Sequence, residues 1–306
     1  MLPPTDATPS PPEIQRLEVA VSGGTLAAFR IASPTDDAPV VLAAHGITSS
    51  SRTWLGVARA LARYATIVAP DLRGRGASKE LPGPYGIESH VADLLECLDQ
   101  LAVEQPVVVV GHSLGAYITT RLAADHPERL RRAVLVDGGL SVPGSDGVDP
   151  QEFLDVFLGP ALARLKMTFQ SHEAYRDWWR AHPALDGSDV ADGDLIAYAD
   201  HDLIGTKPHL RSSVAEQAVR ADAADLLEMG SAAHQLTVPS TLLCAPRGLA
   251  NEPNPMQPLP LVRAWAAEAP EQRLAIQVPD CNHYTIVLGQ SGAAAVADAV
   301  RFALAE

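Results

Sequence analysis

A chain of 306 residues with 47% hydrophobic content can bury a large core, and its formal net charge of −14 would repel polyphosphate backbones and anionic membrane surfaces. Three cysteines, Cys97, Cys244 and Cys281, are odd in number and far apart, which excludes a disulfide framework or a metal-ligand spacing. No apolar run approaches the roughly 18–20 residues that span a bilayer. Residues 1–12 hold five prolines and no basic-then-apolar leader pattern, so 1–13 reads as a disordered lead-in. The expectation is a cytoplasmic protein with no nucleic acid or membrane partner and an oligomeric state left open.

Residues 14–32 hold two short alternating segments around Ser22-Gly23-Gly24, which predicts a β-hairpin. The apolar run 40–44 predicts a strand buried on both faces, followed by a helix at 54–61 and a second buried strand at 65–69. Ile87, Val91, Leu94, Leu95, Leu98 and Leu101 recur at helical spacing and predict a helix over 86–101. Four valines, Val107 to Val110, predict the next strand; a helix is expected at 116–126 and another strand at 133–136. Such alternation predicts an α/β fold, a parallel sheet with helices on both faces.

The rhythm breaks between 138 and 234, where aromatic and acidic residues accompany helical patches at 152–165, 174–181 and 214–227, with no strand. Strands resume at 240–245 and 273–278, with helices at 259–269 and 293–304. Residues 14–137 and 235–306 are therefore assigned to one core domain and 138–234 to an inserted helical cap. An insertion at that point belongs above the C-terminal ends of the strands, where open α/β sheets bind ligands.

Gly111-His112-Ser113-Leu114-Gly115 sits where strand must turn sharply into helix. A residue in such a turn is forced into a strained, left-handed-like conformation, and the flanking glycines lack the side chains that would block the approach. Ser113 then projects its hydroxyl above the sheet, beside amides at a helix N-terminus. A serine hydroxyl needs an adjacent base. His283, in the loop 279–284 after the last predicted strand, lies over the same sheet edge. Other histidines are less well placed. His45 is expected to shape its own loop, His112 to point away from the serine and His126 to end a helix; His172, His182, His201, His209 and His234 have no fixed relation to the sheet. The amides of Ile47, in the loop after 40–44, and of Leu114 are the expected oxyanion donors.

With His45-Gly46, residues 71–78 (Asp-Leu-Arg-Gly-Arg-Gly-Ala-Ser), the 111–115 elbow and Asn282-His283-Tyr284 in this order, the chain resembles the α/β-hydrolase superfamily from about residue 14 to 304. The resemblance implies an eight-stranded, mostly parallel sheet, a helical cap and a Ser–acid–His triad that needs no cofactor or metal. In most such proteins the acid follows the strand corresponding to 240–245, but 246–253 carries no aspartate, and Glu252 is its only carboxylate. The other family location, the end of the preceding strand, holds Asp137. Both residues remain candidates.

A serine at the elbow implies acyl transfer, and hydrolysis of carboxylic esters or lactones of a small to medium apolar substrate is the leading expectation. A carbon–carbon bond hydrolase or a cofactor-free perhydrolase would use the same triad, and a non-catalytic ligand-binding member of the fold is the alternative of another class. The substrate site is unknown from sequence; Trp178 and Trp179 in the insertion are its candidates.

Overall fold

The computed structural model describes residues 13–31, 38–144, 147–149 and 158–305. The lead-in and the first part of the helix expected at 152–165 lie outside these residues. The chain starts with a hairpin, β1 (Ile14–Val21) and β2 (Gly24–Ile31), paired from Ile14↔Ile31 to Val21↔Gly24. There follow β3 (Val40–Ala44), α1 (Leu55–Leu61), β4 (Thr66–Pro70), α2 (Ile87–Gln100), β5 (Val107–His112), α3 (Leu114–Asp125) and β6 (Leu130–Val136).

The insertion then contributes α4 (Gly159–Leu165), α5 (His172–Arg180), α6 (Asp192–Asp202), β7 (Leu203–Thr206), β8 (His209–Ser212) and α7 (Glu216–Glu228). Last come β9 (Ser240–Cys244), α8 (Leu259–Ala267), β10 (Arg273–Gln277), α9 (Thr285–Leu288) and α10 (Gln290–Ala305).

Eight strands form one sheet in the order β1-β2-β4-β3-β5-β6-β9-β10. β2 runs antiparallel to β1 and β4, and the six strands from β4 to β10 are mutually parallel. Period-two alternation explains the two layers of core. Leu42, Ala44 and Val109 pack with Leu94 and Leu98 of α2 and Ile118 of α3 on one face. Val41, Ala43, Val108 and Val110 pack with Val57 and Leu61 of α1 and Val296 and Val300 of α10 on the other. Strands covered on both faces read as unbroken apolar runs.

The insertion departs from expectation in two places. It carries a two-stranded antiparallel hairpin, β7–β8, whose strands of four residues are too short to set up a periodic pattern. Helix α6 was also unmarked, because Asp194 and Asp202 are buried on it alongside Leu195, Tyr198 and Ala199, which blurs its apolar stripe.

These acids serve as anchors. Asp194 receives Arg59 of α1 at 2.9 and 2.5 Å, and His201 lies 2.6 Å from Asp71 in the loop after β4. His201 is thus tied to the sheet domain after all. At the other end Asp222 and Asp225 of α7 accept the Gly86 and Ile87 amides, each at 2.8 Å, capping donors that open α2. No helix among the described residues is long and apolar enough to cross a membrane.

Candidate active site

Ser113 joins β5 to α3 with φ 54° and ψ −121°, a conformation that costs a non-glycine residue roughly 1–3 kcal/mol. Its own amide donates to Val136 O at 3.0 Å and its carbonyl accepts from Ala116 N at 2.8 Å. The flanking glycines are steric necessities: a Cβ on Gly111 would stand 2.0 Å from Gly115 O, and one on Gly115 would stand 2.0 Å from Ala44 O. Leu114 takes the first position of α3, where the N–H has no intrahelical partner.

The loop after β3 passes close beside the serine, since a Cβ on Gly46 would lie 3.3 Å from Ser113 Cβ. Gly46 O accepts from His45 Nδ1 at 2.8 Å and from Ser49 N at 3.1 Å. In a trans peptide the carbonyl and the following N–H point in opposite directions. Fixing Gly46 O therefore aims the Ile47 N–H the other way, and Ile47 lines the same cavity as Ser113.

His45 shapes this loop as a neutral ring. Its Nδ1 donates to Gly46 O, and its Nε2 accepts from Leu72 N at 3.0 Å. Burial lowers its pKa from 6.5 to about 4. The folded value lies below the unfolded one, so this contribution to stability is fully present above pH 6.5 and is lost as pH falls towards 4. The shift corresponds to roughly 3 kcal/mol. The melting temperature is expected to fall across that window, and His45→Gln to make the fall shallower; an unchanged slope in the variant refutes the assignment.

His283 reaches the serine's end of the sheet from the loop between β10 and α9. Its Nδ1 donates to Asp137 Oδ2 at 2.7 Å, with Asp137 1% exposed. Asp137 is placed by the end of β6: it has φ 47°, its amide donates to Leu243 O at 2.7 Å, and its Oδ1 accepts from Ala245 N at 3.0 Å. An imidazole whose Nδ1–H is committed to a buried carboxylate presents Nε2 as a base. Glu252 does not meet His283. Its Oε2 accepts from Ala250 N at 2.7 Å and its carbonyl from Gly248 N at 2.9 Å, which closes its own turn.

His112 does not point away from the site. It lines the cavity, its ring centroid is 4.7 Å from that of His283, and its Nε2 donates to His283 O at 2.8 Å. Burial, then the nearby His283, pushes its pKa well down. It supports the His283 backbone as a neutral ring.

Ser113, Asp137 and His283 open onto a cavity of about 100 Å³ that Ile47, Trp178 and Leu288 also line. The insertion supplies much of the wall, including Arg164, His182, Tyr198 and Leu226. Burial, then Arg164, lowers His182, and burial raises the Tyr198 hydroxyl.

Of the two candidate tryptophans, Trp178 lines the cavity. Trp179 is 1% exposed and packs against Tyr175, Tyr198 and Tyr284, so it is core rather than wall. Adjacent residues on a helix point about 100° apart, which lets Trp178 face the cavity while Trp179 turns into the packed core. Cys281 is buried outside this cavity, its Sγ donating to Val278 O at 3.1 Å. Arg164 and Tyr198 escaped the sequence reading. Their only signal, polar groups on insertion helices, is shared by many exposed residues.

A family model described as alpha/beta hydrolase fold matches residues 39–172. With the sheet order, this gives the chain the α/β-hydrolase fold. Lipase LipV of Mycobacterium tuberculosis is 38% identical over 127 residues, which are 40% of this chain and 48% of that protein. The chain spans less than half the length of the curated relatives it matches, 36% for the first of them.

Among solved structures, E-2-(acetamidomethylene)succinate hydrolase superposes with a TM-score of 0.78 at 20% identity, covering 96% of this chain and 100% of that one. The enol-lactonase of Burkholderia xenovorans gives 0.66 at 19%, covering 95% and 100%. Both share the fold.

Proposed function

We propose that the protein is a serine hydrolase that cleaves carboxylic esters or lactones of small to medium apolar substrates through an acyl-enzyme on Ser113. The observation that carries this reading is the 2.7 Å contact between Asp137 and His283 on the cavity that Ser113 lines. In this reading Ser113 Oγ attacks the substrate carbonyl while His283 Nε2 takes its proton. The oxyanion is held by the Ile47 and Leu114 amides, each such donor being worth about 10²–10³ in turnover. Collapse expels the alcohol, or the ring oxygen of a lactone, protonated by His283. Water, deprotonated by the same ring, then releases the acid.

Asp137 keeps Nδ1 protonated and stabilises the imidazolium. Residues 138–234 serve as the cap, and the apolar wall containing Trp178 and Leu226 receives the acyl or alcohol group. Support for an ester or lactone comes from the named activities of the lipase and the enol-lactonase above.

A fluorophosphonate probe tests the reading directly. Intact and peptide mass spectrometry should show one adduct, on Ser113, formed together with loss of p-nitrophenyl acetate hydrolysis. Labelling elsewhere, or hydrolysis that survives full labelling, sinks it.

A further inference from the structure

Two buried arginines grip successive carbonyls of the loop after β3. Arg75, fully buried, donates from Nε to Ile47 O at 3.0 Å and from Nη1 to Arg73 O at 2.7 Å. Arg164, 2% exposed, donates from Nη2 to Thr48 O at 3.0 Å. Each is neutralised by an aspartate of the insertion. Asp222 of α7 lies 2.5 Å from Arg75 Nη2, and Asp202 of α6 accepts from Arg164 Nη1 at 2.7 Å.

Neither aspartate is a loose counter-ion. Asp222 also accepts the Gly86 amide at 2.8 Å and stands 3.1 Å from His90 Nε2. Asp202 also accepts from the Ser212 and Ser213 hydroxyls, each at 2.9 Å.

The consequence follows from peptide geometry. With Gly46 O held by His45 and Ser49, Ile47 O by Arg75 and Thr48 O by Arg164, three consecutive carbonyls are committed. None of these peptide units can flip without breaking a buried bond, and the N–H groups between them keep a fixed direction. A flipped 46–47 unit would present a carbonyl oxygen to the developing oxyanion; His45 and Ser49 tie that unit directly, and the arginines fix the two units that follow it, which limits how the Ile47 backbone can turn.

We propose that Arg75 and Arg164 are positioning residues for the Ile47 oxyanion donor, and that Asp222 and Asp202 let the insertion set that donor's geometry. This rests on the reading of Ile47 as a donor given above. Assembly of the oxyanion hole thus depends on the insertion as well as on the sheet.

Removing one member of a buried pair strands a charge and is strongly destabilising, so each pair is neutralised together. The variants are Arg75→Met with Asp222→Asn, and Arg164→Met with Asp202→Asn, each checked for a cooperative melt. For p-nitrophenyl acetate, kcat is expected to fall about 10- to 100-fold in both, with KM within about twofold for the Arg75 pair, whose residues do not line the cavity. The affinity of a trifluoromethyl ketone, which forms the tetrahedral oxyanion, should fall in parallel. Hydrogen exchange should accelerate in the peptide carrying residues 46–49.

Unchanged kcat and ketone affinity in both variants overturn the proposal, even if the melting temperature drops. Unchanged exchange in that loop overturns it too. Should the wild type neither hydrolyse the ester nor take the fluorophosphonate, the hydrolase reading fails by itself, and the exchange result alone still decides whether the arginines hold the loop.

Discussion

Replacing Ser113 with alanine is expected to lower ester turnover by about 10⁴-fold or more, while the melting temperature stays close to that of the wild type. The chemical loss is total for the acylation route, because no other hydroxyl takes the elbow position between β5 and α3. Rate enhancement from the Ile47 and Leu114 amides and from substrate binding would remain, so the variant should still exceed water. The structural loss is small. Alanine bears the same positive-φ strain as serine, and the serine's backbone bonds to Val136 and Ala116 are untouched. Pre-steady-state hydrolysis of p-nitrophenyl acetate in excess over enzyme checks the outcome: a burst of p-nitrophenol in the wild type and none in the variant. A variant within tenfold of the wild type removes Ser113 from the mechanism.

The second large effect separates the two carboxylates. Asp137→Asn should cost about 10⁴ in kcat, because an amide presents its N–H₂ as readily as its oxygen and no longer fixes the imidazole as its Nδ1–H tautomer. The Ala245 amide bond can survive the change, so folding should persist. Glu252→Gln should stay within about threefold, since Glu252 braces the turn at Ala250 and Gly248 and does not meet the imidazole. Steady-state kinetics on the two variants, with circular dichroism to confirm folding, decide the matter. The opposite ranking would transfer the acid's role to Glu252.

The features legible in the sequence are those fixed by local patterns. Val107 to Val110, with Gly111 and Gly115 astride Ser113, announce strand, sharp turn and helix within ten residues, and the sheet follows from repeating apolar runs. His283 was readable because its loop follows directly on a strand of that sheet. Which carboxylate meets His283 was not, because that depends on how 246–253 folds back, and Glu252 spends itself inside that turn.

Arg75 and Arg164 were hidden for a related reason. A buried arginine is invisible until its distant aspartate is known, and helical spacing in the insertion does not say which acid turns inward to meet it. Trp179 illustrates the converse: aromatic spacing marks a packed helix without saying which ring faces the cavity.

Helices α6 and α7 both fasten the insertion to the sheet domain, α6 through Arg59–Asp194 and Asp71–His201 and α7 through Arg75–Asp222. Swinging that roof away as a rigid body would break these three pairs together, including the fully buried Arg75–Asp222 pair. A hinged door is therefore a poor description of it. Under the proposed function, a substrate would then be admitted by rearrangement of side chains such as Trp178 and Leu226 rather than by a swinging lid.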